Sequence, residues 1–186
     1  MPAAAELFGA GRRFLLEWLP KGVAGAEIGV WKGDFTQKLI QSTRPRALHL
    51  IDPWKFVPRF PNRWYGGMEA KSQEDMDAIF AGVQSRFGST ATVSIVRKPS
   101  IDAAKSFPDA SLDWVYIDGD HSFEAVLGDL RAWMPKLRRG GVLAGDDFQW
   151  RDEDGNFSVR RAAVQFADEK SLPIKFVVNG QFAFQL

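Results

Sequence analysis

The stretch Trp114-Val115-Tyr116-Ile117-Asp118-Gly119-Asp120-His121 decides the fold. An apolar, β-prone run stops at two carboxylates, a glycine and one of the chain's 2 histidines. Ser122 follows, and Phe123, Val126, Leu127, Leu130 and Trp133 then recur at helical spacing. A buried strand that delivers polar residues to the start of a helix is half of a βαβ unit.

The same alternation runs through the rest of the chain. Residues Arg12–Leu19 read as a leading helix stopped by Pro20. Strands are expected at Ala26–Val30, Leu48–Asp52, Val93–Val96, Leu112–Asp118 and Val142–Gly145. Helices are expected from Asp34, over Met68–Phe87, Ile101–Phe107, Phe123–Trp133 and Val159–Lys170. Asp34 is the expected N-cap of the first of these, with Gln37 in the capping-box position. Gly140-Gly141 turns the chain into the fifth strand. Asn179-Gly180 between Ile174–Val178 and Phe182–Gln185 is a hairpin signal. Strands alternating with helices imply a doubly wound, mostly parallel α/β sheet, on which the hairpin places one antiparallel strand. No repeat or linker divides residues 1–186, so one domain is expected.

Composition narrows the chemistry. The 186 residues carry a formal net charge of +1 and no cysteine, which argues against a general nucleic-acid or membrane surface and removes disulfides, thiolate zinc sites and cysteine nucleophiles. Met1–Leu19 does not read as a signal peptide, and no apolar run reaches the roughly 20 residues that span a bilayer. A soluble, cytoplasmic protein is expected.

Two places carry candidate chemistry. The turn Glu27-Ile28-Gly29-Val30-Trp31-Lys32-Gly33 sets two glycines where a strand becomes a helix, and Asp52 follows at the distance of an acid that binds ribose hydroxyls. Glu27 and Trp31 interrupt the dinucleotide fingerprint, and Asp34 would repel a pyrophosphate at the helix N-terminus. A nucleoside cofactor without phosphates, S-adenosylmethionine, fits better than NAD. The second place is the carboxyl edge of the sheet, where Asp118 ends the fourth strand and Asp146-Asp147 the fifth. Converging carboxylates call for a cation, and oxygen donors select Mg²⁺, Mn²⁺ or Ca²⁺. A cation there could hold a substrate hydroxyl, with His121 as general base. Asp120 or Ser122 caps the helix that follows. His49, inside the second strand, reads as a packed residue.

Ala26–Gly33, Leu50-Ile51-Asp52-Pro53-Trp54, Tyr116–His121 and Gly140–Asp147 together resemble class I S-adenosylmethionine-dependent methyltransferases. The resemblance is closest to the small bacterial group related to the macrolide-sugar (macrocin-type) O-methyltransferases. It implies a Rossmann-like seven-stranded sheet with a reversed last strand. It also implies that Glu27, Gly29 and Gly33 hold the methionine part of the cofactor, Asp52 the ribose and Ser100 the adenine side. Asp118 would touch the cofactor and, with Asp146 and Asp147, bind the metal, leaving His121 as base. The resemblance implies the reaction class and not the substrate; a small molecule or sugar is expected, no nucleic acid or membrane, and self-association is left open. The aromatic-basic segment 53–67 and the segment 148–157 are expected as loops over the active-site edge, either closing on substrate or packed as Ω-like loops.

Overall fold

The computed structural model describes residues 12–186. The first eleven residues, which include most of the Met1–Leu19 segment read above, lie outside the described residues. Seven strands form one sheet: β1 (Ala24–Ile28), β2 (Ala47–Ile51), β3 (Val93–Val96), β4 (Leu112–Ile117), β5 (Leu137–Gly145), β6 (Phe176–Val178) and β7 (Gln181–Gln185). Their order is β3-β2-β1-β4-β5-β7-β6. β1 to β5 pair in parallel, while β7 runs antiparallel to both β5 and β6. This is the class I methyltransferase architecture expected above.

Period-2 alternation sends the two sides of each central strand into different cores. Val115 and Ile117 face a layer built from α4 (Ser100–Ala104), α5 (Phe123–Trp133) and α6 (Ser158–Lys170), where Trp133, Phe166, Phe182 and Phe184 are fully buried. Trp114 and Tyr116 face α1 (Arg13–Trp18), α2 (Asp34–Thr43) and α3 (Gln73–Phe87). Each large apolar side chain removed from water contributes about 1.5–3 kcal/mol, so the two aromatic layers hold the sheet between them. No helix among the described residues is long and apolar enough to cross a membrane.

Local details differ from the sequence reading at the caps. Asp34 is the first residue of α2; the N-cap is Gly33, left-handed at φ 79°, and no side chain caps that end. A left-handed N-cap suits glycine, and Asp34 turns outward to pair with Arg86 at 2.9 Å. α3 starts at Gln73 because Ser72 and Asp75 make a reciprocal capping box there. α5 is capped by Ser122, whose Oγ accepts from the Ala125 amide at 3.4 Å, while Asp120 Oδ1 accepts from the Ser122 amide at 2.7 Å in a turn before the helix. β5 begins earlier than expected, at Leu137. The pairs Leu112↔Leu137 and Trp114↔Val142 show that its extra residues, including left-handed Gly140, form an irregularity within the strand.

One close approach governs the sheet centre. A Cβ at Gly25 would overlap the buried Trp114 indole of the neighbouring strand. Gly25→Ala is therefore expected to cost about 1–3 kcal/mol through overpacking, read as a lowered midpoint in urea denaturation with an unchanged slope.

Candidate active site

The backbone ladder continues one residue beyond each strand. The Gly29 amide donates to the Ile51 carbonyl at 2.9 Å, Asp118 to Ile28 at 2.7 Å, Asp146 to Ile117 at 3.1 Å and Asp52 to Val96 at 3.3 Å. Gly29, Asp52, Asp118 and Asp146 consequently stand in one row at the carboxyl edge. The strand order reverses between β1 and β4, and that edge is where open α/β sheets bind their ligands. Gly29 has φ 87°, and a Cβ on it would strike the Asp118 carbonyl. Its glycine is thus required by the packing of the β1 turn on the β4 turn. Gly33 similarly leaves room for the Phe87 ring.

On the β1–β2 side, the Asp52 carboxylate organises the turn. Its Oδ2 accepts from the Val30 and Trp31 amides, both at 3.0 Å, and its Oδ1 from the Trp54 amide at 2.7 Å. The Trp54 indole is fully buried and donates to the Trp31 carbonyl at 2.9 Å. Trp31 and Trp54 both have positive φ, a conformation that costs non-glycine residues energy and persists only where surrounding bonds enforce it. Glu27 is buried on β1 and accepts from the Thr36 hydroxyl at 2.5 Å. Burial pushes its carboxyl from the usual 4.5 up to about 8, against the lowering effect of the Thr36 bond. Ser100, at the start of α4, accepts from the Trp133 indole at 2.8 Å and hydrogen-bonds the buried Asp129, whose carboxyl burial raises to about 7.

On the β4–β5 side three of the four residues of the sequence reading, Asp118, His121 and Asp147, meet. His121 Nε2 lies 3.2 Å from Asp147 Oδ2 and 3.6 Å from Asp118 Oδ1. One donor atom from each of Asp118, His121 and Asp147 falls within 4.8 Å of the others. The His121 Nε2 atom is buried yet makes no hydrogen bond of good geometry. Burial disfavours the imidazolium, but Asp118 and Asp147 outweigh it and hold the His121 pKa above its ordinary value. Asp147 itself is left-handed, at φ 58°. Asp146 points elsewhere: its Oδ2 accepts from the Tyr116 hydroxyl at 3.0 Å and lies 2.5 Å from Arg12 Nη2. The same Arg12 nitrogen is 2.9 Å from Asp118 Oδ2. Gln181 on β7 donates to the Tyr116 oxygen at 3.4 Å.

Two loops close this edge. Segment 53–67 is pinned by successive turns, in which Phe60 donates to Val57, Arg63 to Phe60 and Gly66 to Arg63, each at 3.0 Å. The Arg63 guanidinium stacks on Trp150 at 4.2 Å, and Trp150 lies 5.4 Å from the His121 ring. Tyr65 reaches Asp120 at 3.5 Å, and Asn62 reaches Glu153 at 3.4 Å. The two loops thus meet beside His121.

Sequence reasoning missed Arg12, Thr36, Tyr116 and Gln181 as members of the site. Tyr116 was discernible, since it stands two positions before Asp118 and projects from the same strand face. Arg12 and Gln181 carry no local signal.

A family profile described as a methyltransferase domain matches residues 26–148. The chain belongs to that methyltransferase-domain family. Solved structures agree on the fold. A SAM-dependent methyltransferase from Aquifex aeolicus matches with TM-score 0.61 at 15% identity, covering 100% of this chain and 92% of that one. The O-methyltransferase NovP matches with TM-score 0.62 at 14% identity, over 97% of this chain and 78% of NovP. A precorrin 8W decarboxylase from Methanobacterium thermoautotrophicum matches with TM-score 0.60 at 16% identity, over 100% and 90%. Such identities establish the architecture alone. No curated protein sequence matches the chain. As a member of this family the methyltransferase transfers a methyl group from S-adenosylmethionine, and Glu27 is a buried acid beside the switch point of its sheet.

Because its folded-state pKa is raised, Glu27 binds more proton in the native than in the unfolded methyltransferase between about pH 4.5 and 8. Its contribution is complete below 4.5 and is lost as pH rises through 8. Stability of the ligand-free protein is expected to fall across this window by roughly 3–5 kcal/mol more in wild type than in Glu27→Gln, as measured by urea denaturation at a series of pH values.

Proposed function

We propose that the methyltransferase is a divalent-cation-assisted O-methyltransferase acting on a hydroxyl of a small molecule or sugar, in the manner of the macrolide-sugar group that its motifs resemble. The observation that carries this reading is the convergence of Asp118, His121 and Asp147 at one corner, with Asp146 joined to Asp118 through Arg12, directly beside Glu27 and the β1 turn. One feature supports a cation there: the buried His121 Nε2 faces the carboxylates of Asp118 and Asp147 without a hydrogen bond. Asp118, Asp146 and Asp147 are the residues that would hold Mg²⁺, Mn²⁺ or Ca²⁺, all oxygen donors.

Each remaining residue takes a role its surroundings allow. Glu27 would receive the ammonium of the methionine part, which restores charge balance to a buried carboxylate. Asp52 has accepted three amides, leaving about one of roughly four acceptor positions for a ribose hydroxyl. Ser100 would mark the adenine side, with its hydroxyl locked by Trp133 and Asp129. S-adenosylmethionine supplies the electrophilic methyl group, and a bound cation would supply Lewis acidity toward the acceptor oxygen. His121 Nε2 is the atom that would take the hydroxyl proton. A cation matching the charge of Asp118 and Asp147 would offset the pull that raises the His121 pKa, which favours the basic form of the imidazole in the loaded site. Arg63, Trp150 and Tyr65 wall the acceptor side and exclude water from it. The near-neutral charge supports an acceptor other than nucleic acid, and the absence of cysteine supports a cytoplasmic setting.

A cation-independent reaction is the second reading, and one observation favours it: Arg12 already neutralises part of the acidic corner. Calorimetry separates the two. S-adenosylhomocysteine is expected to bind, and Asp147→Asn to weaken Mg²⁺ at least about tenfold; Asp147 is chosen because Arg12 does not touch it. Unchanged Mg²⁺ affinity would remove the cation, and absence of S-adenosylhomocysteine binding would remove the cofactor assignment.

A second outcome follows from Glu27 being protonated near pH 7 in the ligand-free site. Binding of S-adenosylhomocysteine should release a proton, seen as a dependence of the binding enthalpy on buffer ionisation heat that disappears in Glu27→Gln.

A further inference from the structure

The acidic corner holds its own cation. Arg12 immediately precedes α1, and a single nitrogen, Nη2, lies 2.9 Å from Asp118 Oδ2 and 2.5 Å from Asp146 Oδ2. Its guanidinium also stacks on Phe35, 4.7 Å from the ring centroid, and lies 6.0 Å from that of Tyr116. The two carboxylates come from the ends of neighbouring strands and are little exposed, at 17% and 9% of their side chains. Left together without a cation they would repel in a weakly solvated site. His121 does not replace Arg12: its ring reaches Asp118 through that residue's other oxygen and reaches Asp147, and no ion pair joins it to Asp146.

The helix that follows Arg12 has anchors of its own. α1 is anchored independently by buried Leu15, Leu16 and Leu19, and by Phe14 and Trp18 set edge-on to Phe176 at 5.0 and 4.9 Å. The Arg12 side chain is 36% exposed and projects from the end of this helix.

We propose that Arg12 is a removable internal counter-ion: it occupies the oxygens of Asp118 and Asp146 in the ligand-free protein and must release them before a divalent cation binds there. Arg12 docking and cation loading then exclude each other. The apparent affinity for the cation is reduced by the fraction of molecules in which Arg12 is docked, and removing the guanidinium removes that reduction. The inference rests on the cation-assisted reading and adds to it a residue that sets when the site can be loaded.

Mn²⁺ titration followed by the electron paramagnetic resonance of the free ion tests it on wild type, Arg12→Ala, Arg12→Gln and Asp147→Asn. Arg12→Gln keeps most of the side-chain length and serves if Arg12→Ala does not fold. Both Arg12 variants are expected to bind Mn²⁺ about tenfold or more tightly than wild type. Without metal they should melt at lower temperature, and Mn²⁺ should raise their melting temperature more than it raises that of wild type. Equal or weaker Mn²⁺ binding by the Arg12 variants, with binding lost in Asp147→Asn, overturns the counter-ion role and leaves the cation reading standing. No binding by any protein, or equal binding by wild type and Asp147→Asn, overturns both.

Discussion

The contact on which the site depends is the one between the ends of β1 and β4. There the Asp118 amide donates to the Ile28 carbonyl, and Gly29 lies so close to the Asp118 carbonyl that no side chain fits. This single backbone approach sets the Glu27 side of the edge against the Asp118 side. The flanking rows, Asp52 beyond β2 and Asp146 beyond β5, are then placed by the regular spacing of a parallel sheet, roughly 5 Å per strand. Side chains contribute identity, and the ladder contributes position. A site made this way is rigid at its base, because every element of it ends a buried strand.

Much of this was legible in the linear sequence. The element order came from strand runs such as Val93–Val96 and Leu112–Ile117 and from the α5 stripe, all of them signals held within a few residues. The corner was legible because each of its acids directly follows a buried run, and Asp118 and His121 share one short stretch. Cap details were less so. Asp34 has the chemistry of an N-cap, yet the left-handed turn requires glycine one position earlier, and backbone conformation overrode side-chain preference. Asp120 leaves the α5 cap to Ser122 because its own carboxylate accepts from the Ser122 amide, in the turn before the helix, while the Ser122 hydroxyl takes the Ala125 amide.

What escaped the sequence is what depends on distance along the chain. Arg12 reaches acids more than a hundred residues away, and Gln181 reaches Tyr116 from the last strand. Neither has a motif, since nothing local constrains them. The role of Asp52 was also broader than its spacing suggested: it ties the β1 turn and the buried Trp54 together through three amides. The acid that ends β2 is thus the clasp that shapes the β1 turn. The loop 53–67 follows the same logic, with internal turns fixing Arg63 and Tyr65 so that they meet Trp150 and Asp120.

The position of β7 between β5 and β6 has a consequence for how the molecule is made. Synthesis delivers β5 well before the Asn179-Gly180 turn, so β5 waits as an open edge with unpaired backbone groups. The hairpin cannot be added strand by strand, because β6 emerges first and its final neighbour does not yet exist. β6 and β7 must pair with each other and dock as a unit, or β6 must wait, and either route closes long loops late. Gln181 and the support it gives Tyr116 arrive only with that docking. A nascent chain can therefore bury much of its core while its acidic corner still lacks the support of β7.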